Sequence, residues 1–448
     1  MKEDKPLVET RQLRFSEDFA ERALAYDQLA TEPPLRRRDG NTEGLRYVLY
    51  SIKPEEFLSS VWGQRPHLDR PAEPERFRRL LTWDDLDHAL DTQRAWPARV
   101  NVVRGGKQVP PSHYLEPVPG RGQGRDPLMR VNSQLLHRQL ASGATLVFFS
   151  ADEVFPEVRD LADQLQYELQ ADVFVNLYLA RGDVGGFEAH WDDHDTFILQ
   201  VHGAKEWRLF GEGRRLPLPK DSEPNECPEK PVDELVLQQG EALYVPRGWW
   251  HAVRPIGEET LHLTLGIGRP SGIDFLRWAA ERQRAHEPVR RDLPLTGTDS
   301  QIRRFLETMH GYLCETLTPT GWAQFVSEHN GRVQARPVHN TAMASTSGTR
   351  QELDRARRLR LRVPRPIQVY AVDGDFSFAS GGLVYQINER AWPLVRAILE
   401  RRVGTIADFF TQKGELSDDQ GQEVLVSLLG AGLLGWSRDK SARQSDAV

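Results

Sequence analysis

The sequence predicts an α+β chain of several domains: a β-sandwich or jelly-roll barrel at its centre, then a block of helices, then a winged-helix module. Three patterns carry this. From residue 172 the hydrophobic period is two, and short strands follow one another across Gly and Pro turns without helices between them. After Pro270 the strands stop and amphipathic helices begin. Residues 355–437 then combine a basic strand-like run, a hairpin-like DGDFSFASGGLVYQI and two helices. A length of 448 residues fits two or three domains.

Taken in order, residues 1–45 read as a polar N-terminal extension with one amphipathic patch at 19–29 and a solvated charge run at 36–38. Residues 46–90 read as helical and anchored by aromatics. Pro54 sits where a helix can start, and Phe57, Val61 and Trp62 share a face. Residues 98–150 mix short strands and turns, ending in a helix and a strand, and 154–170 carry helical spacing. Val173, Val175, Leu177 and Leu179 alternate with Phe174, Asn176 and Tyr178, which is strand periodicity. Further strands are expected at 196–201, 206–210, 234–237, 242–245 and 260–267. The polar loop 211–231 is long enough to be functional or mobile. Three helices are expected across 272–330, a small-residue linker at 337–354, the last module at 355–437, and a tail at 438–448.

Composition excludes several classes. The 58 Lys and Arg against 65 Asp and Glu, a net charge of −7, disfavour a nucleic-acid binder over the whole chain. Cys227 and Cys314, the two cysteines, suggest neither a zinc site nor a disulfide framework, and so a reducing compartment. The charged start MKEDKPLVETRQLRF does not resemble a signal peptide, and no stretch reads as a membrane span. The expectation is a cytoplasmic protein.

The candidate chemistry centres on His190-Trp191-Asp192, in HWDDHDTFILQVHGAKEWRLF. On a strand, His190 and Asp192 point to one face, and Asp193 and Asp195 to the other. A distant His251, closing GEALYVPRGWWH, completes two His and one carboxylate, a set that leaves positions open on non-haem Fe(II). The bland alternatives are an acidic surface turn and a core histidine beside Trp249 and Trp250. Lys205 follows Gly203 in an otherwise apolar strand. It is either a snorkelling surface lysine or a buried cation that needs an anion, such as the distal carboxylate of 2-oxoglutarate. Asn176 and Tyr178 lie on the polar face of their strand and are candidate cosubstrate contacts. His262 and Thr264 alternate with leucines and are candidate pocket residues.

These residues resemble the JmjC-type cupin oxygenases, specifically the ribosomal oxygenase branch. The resemblance rests on the HxD with a lysine downstream, on the distal PxGxxH, on the entry segment FLSSVWGQRPHL and on DVFVNLYLARGDVGGFEAHWD. It covers residues 46–437 and implies a double-stranded β-helix at 46–270, a helical dimerisation region at 271–336 and a winged-helix domain at 355–437. It implies Fe(II) held by His190, Asp192 and His251. It also implies 2-oxoglutarate anchored by Lys205, with Asn176 and Tyr178 nearby; Thr264, from its place on the inner face, is a further candidate cosubstrate contact. The substrate implied is an Arg or His side chain of a ribosomal protein. Lys205, where some bacterial members carry Arg, makes the chain similar to a bacterial member of the eukaryotic histidine-hydroxylase type. Trp191 stands where a Tyr is common, and the N-terminal extension and Gly185-Gly186 with Asp183 also depart from the pattern. Alternatives are the same chemistry on a natural-product peptide or small molecule, a metal cupin without 2-oxoglutarate, and nucleic-acid contact through the arginine run 355–365.

Overall fold

The computed structural model describes residues 6–12, 43–92, 97–118, 129–219, 221, 226–337, 353–372 and 374–437. The patch at 19–29, the run 36–38, the tail 438–448, most of the linker and part of the 211–231 loop lie outside the described residues. The chain divides into two compact units, residues 42–269, and residues 270–448 together with 1–41.

The N-terminal segment contributes strand β1 (Val8–Gln12), which pairs antiparallel with residues 383–387 of the second unit. Part of the expected polar extension therefore closes a sheet edge, where its backbone N–H and C=O groups find partners.

In the 42–269 unit, Pro54 opens the helix Pro54–Ser60 as expected, and a Thr82–Asp85 capping box starts Trp83–Asp91. The strands are β2 (His67–Asp69), β3 (Val100–Arg104), β4 (Lys107–Gln108), β5 (Leu115–Pro117), β6 (Met129–Val131), β7 (Thr145–Phe148), β8 (Asp172–Arg181), β9 (Asp195–Glu212), β10 (Asp233–Leu237), β11 (Ala242–Val245) and β12 (Trp249–Gly268). The main sheet runs β2-β11-β9-β12-β8-β7-β3-β4, with β10 on β9.

The pairs expected at 196–201 and 206–210 are one strand. β9 continues through Gly203, pairing first with β11 and the far half of β12, then with β10 and the near half of β12. β12 is likewise continuous, with register shifts between Ile256 and His262. Two long strands thus each serve both halves of a jelly roll. Gly203 allows the bend: its φ is +66°, and a Cβ there would lie 2.3 Å from the Glu259 carbonyl oxygen. Gly203→Ala is expected to cost about 2–4 kcal/mol, read as a lowered urea midpoint. A loss below about 1 kcal/mol would show that the bend relaxes without Gly.

Alternation along these strands makes two apolar layers. Val175 and Leu177 of β8, Leu263 and Leu265 of β12 and Phe148 of β7 join the outer core. The helix Pro156–Leu169 packs there through Val158, Leu161 and Leu165. Ile198, Trp207, Leu209, Leu237, Leu243 and Val245 form a separate inner cluster. Asn176, Tyr178, His262 and Thr264 alternate with the outer-core residues and so face inward.

The second unit has helices Gly272–Arg282, Asp299–Thr316 and Pro319–Arg332, matching the three expected. Its remaining strands are β13 (Arg358–Leu361), β14 (Tyr370–Val372), β15 (Asp375–Ser380), β16 (Leu383–Ile387), β17 (Val403–Thr405) and β18 (Leu434–Trp436). They make the sheets β1-β16-β15-β14 and β17-β13-β18. The expected hairpin is β15–β16, turning at Gly381-Gly382, both at positive φ. Helices Trp392–Arg401 and Asp418–Gly430 cover the core around Leu359, Ile387, Val395 and Leu425.

Candidate active site in the barrel

His190 and Asp192 lie just before β9, not on a strand, so strand alternation is not what aims them together. Backbone pairing does. His190 and His251 exchange N–H···O bonds of 3.0 and 2.8 Å, and Gly248 N–H donates to the Asp192 carbonyl at 2.8 Å. The HxD segment is thereby stitched to the GWWH segment. Gly248 has φ +82°, and a Cβ there would lie 1.9 Å from the Arg214 carbonyl oxygen, so this close turn requires glycine.

The ligand atoms of His190, Asp192 and His251 all fall within 4.8 Å of one another. His251 Nε2 is 3.8 Å from Asp192 Oδ2. Each imidazole uses Nδ1 on a main-chain carbonyl, His190 on Glu188 at 2.9 Å and His251 on Trp249 at 3.0 Å. A carbonyl only accepts, so Nδ1 carries the hydrogen in both rings, and Nε2 of a neutral ring keeps its lone pair. Burial, with His190 beside it, pulls the His251 pKa down to about 4 and keeps that ring neutral. Two imidazoles with Nε2 left for a ligand bond, and one carboxylate, fit a divalent ion of the non-haem iron type.

Deeper in the barrel lies Lys205, 3% exposed. Its ammonium meets His262 Nδ1 at 2.7 Å. Burial alone draws its pKa down to about 7, and no carboxylate contributes. The His262 pKa is also lowered, by burial and then by Lys205. Tyr178 stacks on His262, centroids 4.9 Å apart and planes at 13°. Burial first, then the Asp192 charge, pushes the Tyr178 pKa up to about 12, against a hydrogen bond with Asn176. The Asn176 side-chain oxygen also accepts from Ser150 N–H at 3.3 Å. Thr264 pairs in register with Asn176 and is half-buried.

Trp207 ties the two regions together. Its ring centroid is 5.7 Å from that of His251 and 6.1 Å from that of His262. Its indole N–H is buried without an acceptor. In the sequence it is one more apolar residue of its strand, although period two from Lys205 places it on the same face. Among the described residues, this inner wall thus presents the Trp207 N–H without an acceptor and a Lys205 ammonium bonded to a histidine rather than to a carboxylate.

Other candidates go elsewhere. His194 bonds Asp193 at 2.9 Å and sets its ring against Phe174. Asp195 is buried and accepts from the Tyr244 hydroxyl at 2.6 Å. Gly185-Gly186, which depart from the family pattern, pack against strands. A Cβ would lie 2.8 Å from the Val253 carbonyl oxygen at Gly185, and 2.3 Å from Thr145 Oγ1 at Gly186. Phe187 then meets both Tyr178 and His190, at 6.0 and 6.1 Å. In the second unit, Arg355 pairs with Asp418, Arg357 lies 3.5 Å over the Trp436 ring, and Arg365 is buried. The arginine run is therefore not one free cationic row. Among the described residues no helix is long and apolar enough to cross a membrane.

Residues 150–275 match the JmjC domain family. Among curated proteins, the chain is similar to the bifunctional lysine-specific demethylase and histidyl-hydroxylase NO66 of Aedes aegypti. They are 26% identical over 264 residues, covering 56% of this chain and 40% of that protein. It is similar also to ribosomal oxygenase 1 of Rattus norvegicus, 28% identical over 252 residues, covering 54% of this chain and 40% of that protein. The chain thus spans about two fifths of the length of these curated relatives. Among solved structures, YcfD, a ribosomal oxygenase from Escherichia coli in complex with cobalt and 2-oxoglutarate, matches with a TM-score of 0.50. It is 16% identical and covers 87% of this chain and 99% of that one. At that identity the likeness establishes the fold.

Proposed function

We propose that this chain, a JmjC-domain protein related to the ribosomal oxygenases, is an Fe(II)- and 2-oxoglutarate-dependent oxygenase that hydroxylates an Arg or His side chain of a ribosomal protein. One observation carries the cosubstrate: a buried lysine with no anion contributing to its charge, on the same inner wall as a His-Asp-His cluster. A buried ammonium in that state is costly unless a carboxylate joins it. His190, Asp192 and His251 would hold the iron, and Lys205 the distal carboxylate, with Asn176, Tyr178 and Thr264 alongside. Iron with 2-oxoglutarate supplies the oxygen chemistry when bound, with succinate and carbon dioxide as co-products. The barrel positions the groups and keeps water out.

The protein substrate is supported by the names of the relatives, which include a histidyl-hydroxylase and a ribosomal oxygenase. Lys205 in place of an arginine favours histidine. The test is intact-mass analysis of ribosomal proteins from cells with and without this gene. A gain of one oxygen atom on one protein, mapped to one side chain, is expected. Unchanged masses would move the substrate to a peptide or small molecule.

The helices of 272–332 support a homodimer. Asp299–Thr316 buries none of its residues, and Leu306 is 60% exposed beside Ile302. Leu306→Arg is expected to halve the mass measured by light scattering in solution. An unchanged mass would place any dimer contact elsewhere. The helices and the β15–β16 hairpin of 355–437 support a winged-helix domain, and the cysteine count supports a cytoplasmic setting.

A further inference from the structure

Lys205 is held by a histidine, not by an acid. Its ammonium reaches His262 Nδ1 at 2.7 Å, and both side chains are buried. An ammonium only donates, so Nδ1 of His262 accepts and the ring is neutral. Among the described residues that pair with the two in register, none is a second basic acceptor. Lys205 pairs in register with Leu237 of β10 and Pro255 of β12, and His262 with Tyr178 of β8 and Gln200 of β9. Of these only Tyr178 titrates, and its stacked ring fixes the imidazole plane. Trp207 borders the same ring from β9.

We propose that His262 is a positioning residue for the cosubstrate, holding the Lys205 ammonium through Nδ1 so that it stands ready for a dicarboxylate, and that binding of that dicarboxylate is coupled to proton uptake by the pair. This rests on the 2-oxoglutarate reading of the site. Without an anion, a charge at this depth is opposed by desolvation, and above about pH 7 Lys205 is largely unprotonated. A carboxylate arriving beside it favours the charged form, so above that pH each binding event takes up a proton. Affinity therefore falls as pH rises beyond about 7 and is flat just below it. His262 sets where this begins, because its Nδ1 is the acceptor that stabilises the charged lysine.

The experiment is calorimetric titration of 2-oxoglutarate into the full chain loaded with Mn(II), without oxygen, across pH 6 to 9 and in buffers of differing ionisation enthalpy. Wild type is expected to bind with proton uptake above about pH 7. His262→Leu removes the acceptor and is expected to weaken binding about ten- to a hundredfold, with the onset of proton uptake moved to lower pH and Mn(II) affinity unchanged. His262→Asn keeps an acceptor near the Nδ1 position, and His262→Gln places it near Nε2. Affinity close to wild type in the first and reduced in the second is expected, and this ranking serves if the leucine variant folds poorly. Wild-type affinity and pH onset in His262→Leu, or equal loss in the Asn and Gln variants, would overturn the role of His262 while leaving the cosubstrate reading intact. A wild-type protein that binds Mn(II) but not 2-oxoglutarate would overturn both.

Discussion

Asp192→Ala is expected to remove 2-oxoglutarate turnover, by on the order of a thousandfold or more, with a matching loss of metal affinity. The size follows from charge. Of the three residues in the cluster, Asp192 alone can bring an anion to a divalent ion, since an imidazole with its Nδ1 hydrogen on a carbonyl offers only an uncharged Nε2 donor. The fold should survive. The contact that stitches this segment to Gly248 uses the Asp192 main-chain carbonyl, which alanine keeps. Unfolding free energy should therefore change by less than about 1 kcal/mol. Titration of Mn(II) beside a urea denaturation curve separates the two effects. An inactive variant that binds metal like the wild type would move the carboxylate ligand elsewhere.

Lys205→Met is expected to act in opposite directions on function and on stability. Losing the ammonium removes the cation for the distal carboxylate, so half-saturation by 2-oxoglutarate should rise about a hundredfold or more. The protein without cosubstrate should become more stable, by about 1–3 kcal/mol, because a buried amine whose charging is opposed by desolvation is replaced by an apolar chain of similar length. A structural lysine would give the reverse pattern, with lower stability and an unchanged 2-oxoglutarate requirement. Thermal unfolding with and without 2-oxoglutarate reads both signs in one experiment.

Much of the fold was legible because periodicity survives in single strands. Val173 to Leu179 alternate in the sequence, and the same residues divide the outer core from the inner wall in the structure. Gly and Pro mark bends as readily as ends, which is why β9 was expected as two strands and is one, turned at Gly203. The pairing of His190 with Asp192 was read from alternation, yet the structure sets both in a loop. Their convergence comes from a long-range backbone bridge to His251 that no local pattern encodes. The partnership of Lys205 with His262 depends on strand register in the same way. The strand at Val8–Gln12 was hidden because its partner β16 lies near the other end of the chain. Gly185-Gly186 stand out in the sequence only as a departure from the family pattern, and the close approach to Val253 and Thr145 that calls for glycine at both is a tertiary contact.

One inner wall joins a metal-binding triad to an anion-seeking lysine. The most direct measurement of this pairing is succinate formed by the purified chain supplied with Fe(II), 2-oxoglutarate and oxygen, with ribosomal proteins present. Succinate in proportion to hydroxylated product is expected from the wild type, and none from Asp192→Ala. Hydroxylation without succinate, or equal succinate from the Asp192→Ala protein, would contradict it.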